Sequence, residues 1–161
     1  MPFHFDDVDV VSQVSGPGSA LIVPCYMCPA VTVAIRENKP FMQFFKLAPF
    51  AAYIKKMRSA LNKKGVRTRV FRSFLYHQWF MCIWTAGRRK KLRDAAQNYD
   101  AVIVLGCESA TETVRACIQS TDCKVIEGMK TVGITNAQPR LRLPCHVYFQ
   151  DSRIVPLPQQ N

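Results

Sequence analysis

Acidic residues are missing from about a third of this chain: none occurs between Glu37 and Asp94, whereas fifteen lysines and arginines do. The formal net charge of the whole chain is +11. Charge of one sign attracts anions, so an acidic protein surface, nucleic acid or a phosphate-bearing ligand is a candidate partner. A solvated basic face explains the charge equally well. The densest basic run, which we expect to dock onto an acidic protein partner, consists of Arg88, Arg89, Lys90 and Lys91.

Long apolar runs are also absent. The longest aromatic-rich stretch, FLYHQWFMCIW (74–84), is too short to cross a bilayer, which needs about 20 apolar residues. The N-terminus, MPFHFDDVDVV, is acidic where a secretion signal is basic. We therefore expect a cytoplasmic protein without a transmembrane segment. In that compartment seven cysteines indicate metal or redox chemistry more often than disulfides.

Most catalytic sequence patterns are missing as well. The glycine-containing stretch VSGPGSA precedes the first predicted strand, whereas a phosphate-binding loop would follow it. The chain has no nucleophile elbow and no obvious acid–base dyad. Its three histidines form no spaced pair, which argues against a histidine-rich metal site. The cysteines are therefore the main candidates for chemistry.

Buried strands and helices alternate along the middle of the chain. Strands are predicted at 20–24, 66–71, 101–106 and 123–129, with a fifth or edge strand at 145–150. This alternation predicts an α/β fold, namely a single doubly wound domain with a mostly parallel sheet of four to five strands. We expect residues 1–18 to form an irregular N-terminal arm, 19–150 the domain, and 151–161 an extended C-terminal tail.

Four cysteines follow predicted strands at their carboxyl ends. Cys25 and Cys28 follow the first strand, Cys82 lies in the connection after the second, and Cys107 follows the third. Because the carboxyl ends of parallel strands share one edge, where open α/β folds bind ligands, these thiols are expected to converge. Four thiolates suit tetrahedral zinc, our first choice, or an iron–sulfur cluster. Two other interpretations of Cys25 and Cys28 stay open, namely a redox dithiol and two buried thiols without a chemical role.

The other cysteines carry weaker signals. Cys117 falls inside a predicted helix and Cys123 opens a strand, so we expect both to pack in the core. Cys145 is a candidate for an additional ligand. Glu108, next to Cys107, is a candidate site residue, although a carboxylate at a helix N-terminus is also favoured by the helix dipole alone.

Several stretches, taken in order, resemble the MetV-type domain, a zinc- or cluster-binding module of bacterial methylenetetrahydrofolate reductases. They are ALIVPCYMCPAVTVAIRENKP, ALNKKGVRTRVFRS, YDAVIVLGCESATETVRACI and CKVIEGMKTVGI, within roughly residues 19–135. In that family the module is a C-terminal region or a small partner subunit. The resemblance implies that Cys25, Cys28, Cys82 and Cys107 hold the metal. The insertion FMQFFKLAPFAAYIKK departs from the family pattern, as do Glu108 and Ser109, which replace expected glycines.

The functional expectation is a Cys₄ metal-binding accessory or electron-relay subunit of a larger, anaerobic one-carbon or redox enzyme complex. Such a subunit would itself be non-catalytic, beside an oxidoreductase partner. Two alternatives stay open. One is a basic nucleic-acid-binding or regulatory metalloprotein, in which Phe74, Tyr76, Trp79 and Trp84 stack on bases. The other is a free-standing thiol oxidoreductase that uses the CxxC pair.

Overall fold

The computed structural model describes residues 2–14, 18–43, 46–72 and 79–157. Within these ranges eight strands form two four-stranded sheets. The strands are β1 (Phe3–Asp7), β2 (Ser19–Pro24), β3 (Met42–Gln43), β4 (Arg67–Val70), β5 (Ala101–Leu105), β6 (Lys124–Glu127), β7 (Met129–Arg142) and β8 (His146–Pro156). The helices are α1 (Val10–Gln13), α2 (Cys28–Arg36), α3 (Ala48–Lys63), α4 (Ala86–Ala96) and α5 (Glu108–Ile118), with a short 3₁₀ helix at Met81–Ile83.

One sheet is parallel and contains the four strands that the apolar runs predicted. Its spatial order is β4-β2-β5-β6, and each neighbouring pair is parallel. From β2 the chain first moves outward to β4, then crosses back over β2 to β5. The carboxyl ends of β2 and β5 therefore flank the point where the winding direction reverses, which is where open α/β sheets bind ligands.

The two central strands of the parallel sheet, β2 and β5, are buried on both faces, which explains their continuous apolar sequences. On one face Ile22 and Ile103 pack in a core with apolar side chains of α2 and α3. On the other face Leu21 and Val102 pack with side chains of α4 and α5. The alternation of neighbouring residues between the two cores follows from the period of two in a strand.

The second sheet is antiparallel, with the order β1-β7-β8-β3. It corrects our prediction of a single doubly wound domain, since the chain is mixed α/β with one parallel and one antiparallel sheet. The predicted fifth strand belongs here: His146–Pro156 forms β8, which pairs with β7 and β3. The parallel part of the prediction is confirmed with four strands.

The antiparallel sheet also recruits both ends of the chain. Residues 3–7, expected in an irregular arm, form β1 and pair with β7. Residues 151–156, expected in an extended tail, form the second half of β8. Phe5 of β1 is fully buried in the core that also holds Ile22, so this sheet is anchored to the parallel one through shared packing.

Helix α2 is the element that joins the two sheets. Every residue from Pro29 to Ala34 is buried, although a surface helix normally leaves one face exposed. The reason is that apolar side chains of α2 share a core with residues of the parallel sheet and with Phe5 and Met129 of the antiparallel sheet. The buried hydroxyl of Thr32 donates a hydrogen bond of 3.2 Å to the carbonyl of Phe3. Helix α2 is thereby covered on several sides.

No helix in the described ranges combines the length and the apolar character that a membrane span requires.

Candidate metal centre

Three cysteines lie at the carboxyl edge of the parallel sheet, around the point where its winding reverses. Cys25 directly follows β2, Cys28 is the first residue of α2, and Cys107 is the N-cap of α5. The backbone N–H of Cys25 donates a hydrogen bond of 2.8 Å to the carbonyl of Leu105, the last residue of β5. The CxxC loop is therefore tied to the strand that leads into Cys107.

The segment before Cys82 wraps around Cys25. The thiol of Cys25 donates a hydrogen bond of 3.4 Å to the carbonyl of Trp79, and the backbone of Met81 hydrogen-bonds the same sulfur. Cys82 itself is exposed in the 3₁₀ helix, close enough to Cys28 to influence the pKa of its thiol. All four cysteines that the sequence singled out thus lie in one region of the molecule.

Burial and repulsion from neighbouring cysteines raise the pKa of the two CxxC thiols. Burial raises the pKa of Cys25 to about 11, and Cys28 and Cys107 raise it too, against backbone hydrogen bonds from Met81 and Met27. Burial also raises the pKa of Cys28, and Cys107 and Cys82 add to the increase. The neighbouring groups that act electrostatically on the two thiols are other cysteines, and the negative charge of a thiolate disfavours deprotonation of the next thiol. A cluster of thiolates here needs positive charge from outside.

The donor set fits a thiophilic ion. Sulfur ligands from a CxxC pair and two further loops match tetrahedral zinc or an iron–sulfur cluster, and such an ion would supply the missing positive charge. Within the described residues, no three or more His, Cys, Asp or Glu side chains are arranged closely enough to hold an ion. Ligation of an ion by these cysteines would therefore require their sulfurs to lie closer together than they do here.

Gly106 lets the two cysteine-bearing loops approach each other. A Cβ atom at Gly106 would lie 2.7 Å from the Cβ of Ala110 and 3.5 Å from that of Cys25. The first distance is shorter than van der Waals contact permits, so only glycine fits between β5 and the first turn of α5 without displacement. This close approach, which sequence reasoning missed, brings Cys107 beside Cys25.

The remaining candidates lie apart from this cluster or have other partners. Glu108 is exposed and accepts a hydrogen bond of 2.8 Å from the hydroxyl of Thr131 in β7, so it links α5 to the antiparallel sheet. Cys145 is exposed in the turn between β7 and β8. Cys117 is buried in the core beside α4, and Cys123 is partly buried against it, as expected of packing cysteines.

The basic run of α4 divides into buried and exposed members. Arg88 is buried, with its guanidinium 5.8 Å from the centre of the Trp84 ring, so it is not a surface docking residue. Arg89 donates a hydrogen bond of 3.1 Å to the carbonyl of Trp84. Lys90 and Lys91 are exposed. The predicted docking contact with an acidic partner is therefore restricted to these two lysines and the partly exposed side chain of Arg89.

Two of the four aromatic residues of the nucleic-acid alternative lie in the described part of the chain, and both are at least partly covered. Trp84 is buried against Phe71, and Trp79 is partly buried with its carbonyl engaged by Cys25. Phe74 and Tyr76 lie outside the described residues. A row of exposed rings is thus not seen in the described part of the chain.

Comparison with protein-family models, with curated proteins and with solved structures finds no match for this chain.

Sequence reasoning also missed a cavity of about 560 Å³ at the edge of β4 that faces away from β2. Three arginines line it, together with residues of β2, of β4 and the position after it, and of the end of α4 and the turn that follows: Arg58, Arg69, Arg72, Leu21, Val70, Phe71, Ala95, Asn98 and Tyr99. The available signal was the absence of acidic residues from 38 to 93, which leaves these arginines without carboxylates nearby in sequence. The cavity and the cysteine cluster have no lining residue in common.

Proposed function

We propose that this chain is a metal-binding module in which Cys25, Cys28, Cys82 and Cys107 ligate zinc or, as second choice, an iron–sulfur cluster. The observation that carries the proposal is the gathering of cysteines from three chain segments at the reversal point of a parallel sheet. A bound metal would stabilise thiolates that burial and mutual repulsion disfavour. The resemblance to MetV-type domains points in the same direction and adds an oxidoreductase of one-carbon metabolism as the partner.

The free-standing dithiol alternative is less well supported. A catalytic dithiol needs a thiolate with a lowered pKa, accessible to its substrate. Here Cys25 is buried and its pKa is raised to about 11 by burial. Cys28 begins α2, where a helix dipole favours the thiolate, yet burial raises its pKa as well. The CxxC pair is therefore better suited to metal ligation than to disulfide exchange.

Metal analysis of protein purified without air, with a visible absorption spectrum, tests the proposal. About one zinc ion per chain without colour is expected for a structural module, and iron with sulfide and a brown chromophore for an electron relay. Serine variants of Cys25, Cys28 and Cys107 should each lose most of the metal. Cys145→Ser is the control, because Cys145 is exposed in the turn between β7 and β8 of the antiparallel sheet.

Two outcomes would contradict the metal site. One is wild-type protein without zinc or iron, with all seven thiols titratable under anaerobic conditions. The other is equal metal loss in Cys145→Ser and Cys107→Ser, which would move the ligands elsewhere. Loss in Cys25→Ser but not in Cys82→Ser would instead give a three-cysteine site with an open position.

We further propose that the exposed lysines of α4 contact an acidic surface of the partner enzyme. Lys90 and Lys91 are exposed, and the ordered side chain of Arg89 holds the start of the helix. Reversing both charges (Lys90→Glu with Lys91→Glu) should weaken a salt-sensitive complex. The matched control reverses Arg140 and Arg153, which are exposed on the antiparallel sheet. Undiminished co-purification at low salt in the lysine variant would exclude this contact.

A further inference from the structure

The cavity at the edge of β4 concentrates positive charge without compensation. Arg58 lines the cavity from α3. Arg69 belongs to β4, and Arg72 follows the end of β4 by two residues. The ion pairs between described residues involve Arg36, Lys39 and Arg115, and none involves these three arginines. Three guanidinium groups therefore surround one space with no carboxylate among the residues that line it.

One of these arginines is left with an unmet hydrogen-bonding requirement. The Nε of Arg58 is buried and has no hydrogen-bond partner. Buried guanidinium N–H groups are rarely left without an acceptor, so a rotation of the Arg58 side chain towards a ligand in the cavity would relieve this cost. Asp100, which follows the lining residue Tyr99, accepts hydrogen bonds from the backbone and hydroxyl of Ser19 at 2.7 and 2.8 Å.

The backbone of β4 adds a further donor. The N–H groups of Arg67 and Phe71 donate to Gly18 and Ile22 on the β2 side. Successive N–H groups of a strand point in opposite directions. The N–H of Val70 therefore points away from β2, and Val70 is one of the residues that line the cavity. In the described part of the chain β4 pairs only with β2.

The opposite wall of the cavity is apolar. Leu21, Phe71 and Ala95 line it beside the partly buried ring of Tyr99. A volume of about 560 Å³ lies within the range of small-molecule sites, and a concave pocket of this size suits a discrete ligand better than a long polymer. A shallower depression next to it shares Arg58 and adds Lys55 and Lys63, which extend the positive field at its entrance.

We propose that this cavity binds the diphosphate group of a small organic ligand of the nucleoside-diphosphate type. Guanidinium groups form bidentate hydrogen bonds with phosphate oxygens, and three of them match a group that carries two or more negative charges. The apolar wall accommodates the organic part. The proposal is independent of the metal site, with which the cavity shares no lining residue.

Calorimetric titration with inorganic pyrophosphate and with ADP tests the proposal on the full chain. Both should bind, ADP more tightly because it also contacts the apolar wall. The double variant Arg58→Gln with Arg69→Gln should weaken both at least tenfold. The matched control, Lys90→Gln with Lys91→Gln, removes the same charge from an exposed face and should change affinity less than twofold.

Three results would overturn the proposal. The first is no pyrophosphate binding by the wild type at low salt. The second is equal weakening in both double variants, which would reduce the effect to general attraction of polyanions. The third is tighter binding of an oligothymidylate than of ADP, with both double variants equally affected, which would make the basic face a nucleic-acid surface.

A second measurement does not depend on whether the variants fold. Phenylglyoxal modifies accessible arginines, and mass spectrometry locates the adducts. ADP should slow modification of Arg58, Arg69 and Arg72 in the wild type at least fivefold, and leave the exposed Arg140 and Arg153 unaffected. Equal modification of the two groups in the presence of ADP would contradict the site.

Discussion

The amide of Cys25 donates a hydrogen bond of 2.8 Å to the carbonyl of Leu105, two residues before Cys107. This bond continues the parallel pairing of β2 with β5 by one residue beyond the end of β2. The CxxC loop and the loop of Cys107 are therefore positioned by the same pair of strands. Any change that shifts β5 should move both sets of thiols together.

The buried thiol of Cys25 should be slow to alkylate in metal-free protein. With a pKa of about 11, about one thiol in a thousand is ionised at pH 8, compared with about a quarter for an ordinary thiol. We expect iodoacetamide to modify Cys25 at least ~100-fold more slowly than the exposed Cys145, since both ionisation and access are reduced. Quenched-time mass spectrometry measures both rates. Equal rates would show that Cys25 is not buried in solution.

Gly106→Ala should lower the free energy of unfolding, whereas Gly87→Ala should not. A methyl group at Gly106 would lie 2.7 Å from the Cβ of Ala110, so α5 must shift, at a cost of about 1–3 kcal/mol. At Gly87, inside α4, nothing lies within 4 Å, and alanine should add about 0.5–1 kcal/mol of stability. Urea unfolding at neutral pH measures both changes. Equal effects at the two positions would disprove the close approach.

The core side chain of Ile103 should contribute far more to stability than an exposed isoleucine. Ile103 is 0% exposed in the centre of β5, and Ile83 is 74% exposed. Ile103→Ala should lower the free energy of unfolding by about 2–5 kcal/mol, because it removes buried methyl groups and leaves a cavity. Ile83→Ala should change it by less than about 0.5 kcal/mol. A small loss at Ile103 would mean that the face of the sheet covered by α2 and α3 is not packed as described.

The contact between Asp100 and Ser19 should make stability dependent on pH in the acid range. Hydrogen bonds from the hydroxyl and backbone of Ser19 hold the pKa of Asp100 below its usual value. A lowered folded-state pKa means that the stabilisation is complete above about pH 4, the unfolded value, and is lost as the pH falls through the folded value.

Asp100→Asn tests this linkage. The variant should lower the urea midpoint at pH 6, and the difference from the wild type should shrink as the pH falls from about 4 through the lowered folded-state pKa of the Asp100 carboxyl. Asp94→Asn, at an exposed position on α4, should leave the midpoint nearly unchanged at both pH values. A pH-independent difference between Asp100→Asn and the wild type would show that the charge of the carboxylate is unimportant.

The centre of the parallel sheet was predictable because β2 and β5 are buried on both faces, while β4 was predicted from the alternation of VRTRVF. Runs such as 101–105 are wholly apolar and are followed by helices, a pattern that favours parallel strands. Helix α2 was harder to predict, since its valines, isoleucine and threonine are β-branched and favour strands. Burial among residues of both sheets outweighs that preference.

The antiparallel sheet was not predictable from apolar pattern. Strand β7 carries Gly133 and Pro139, and most of its second half is exposed, so regular alternation is missing there. Strand β1 is only five residues long and pairs with residues about 130 positions away. Pairing at such a distance depends on the packing of α2 and is not encoded in any local window.

By itself the sequence determined the four parallel strands, the order of strands and helices, and the positions of the four cysteines relative to strand ends. These are local properties, set by apolar runs and by where they stop. Only the tertiary structure decided which side chains share an environment. It buried Arg88, exposed Lys90 and Lys91, brought the loop of Cys82 over Cys25, and gathered Arg58, Arg69 and Arg72 around one cavity. Such neighbourhoods depend on which strand lies at the sheet edge and on how helices cover each face, and both follow from long-range packing.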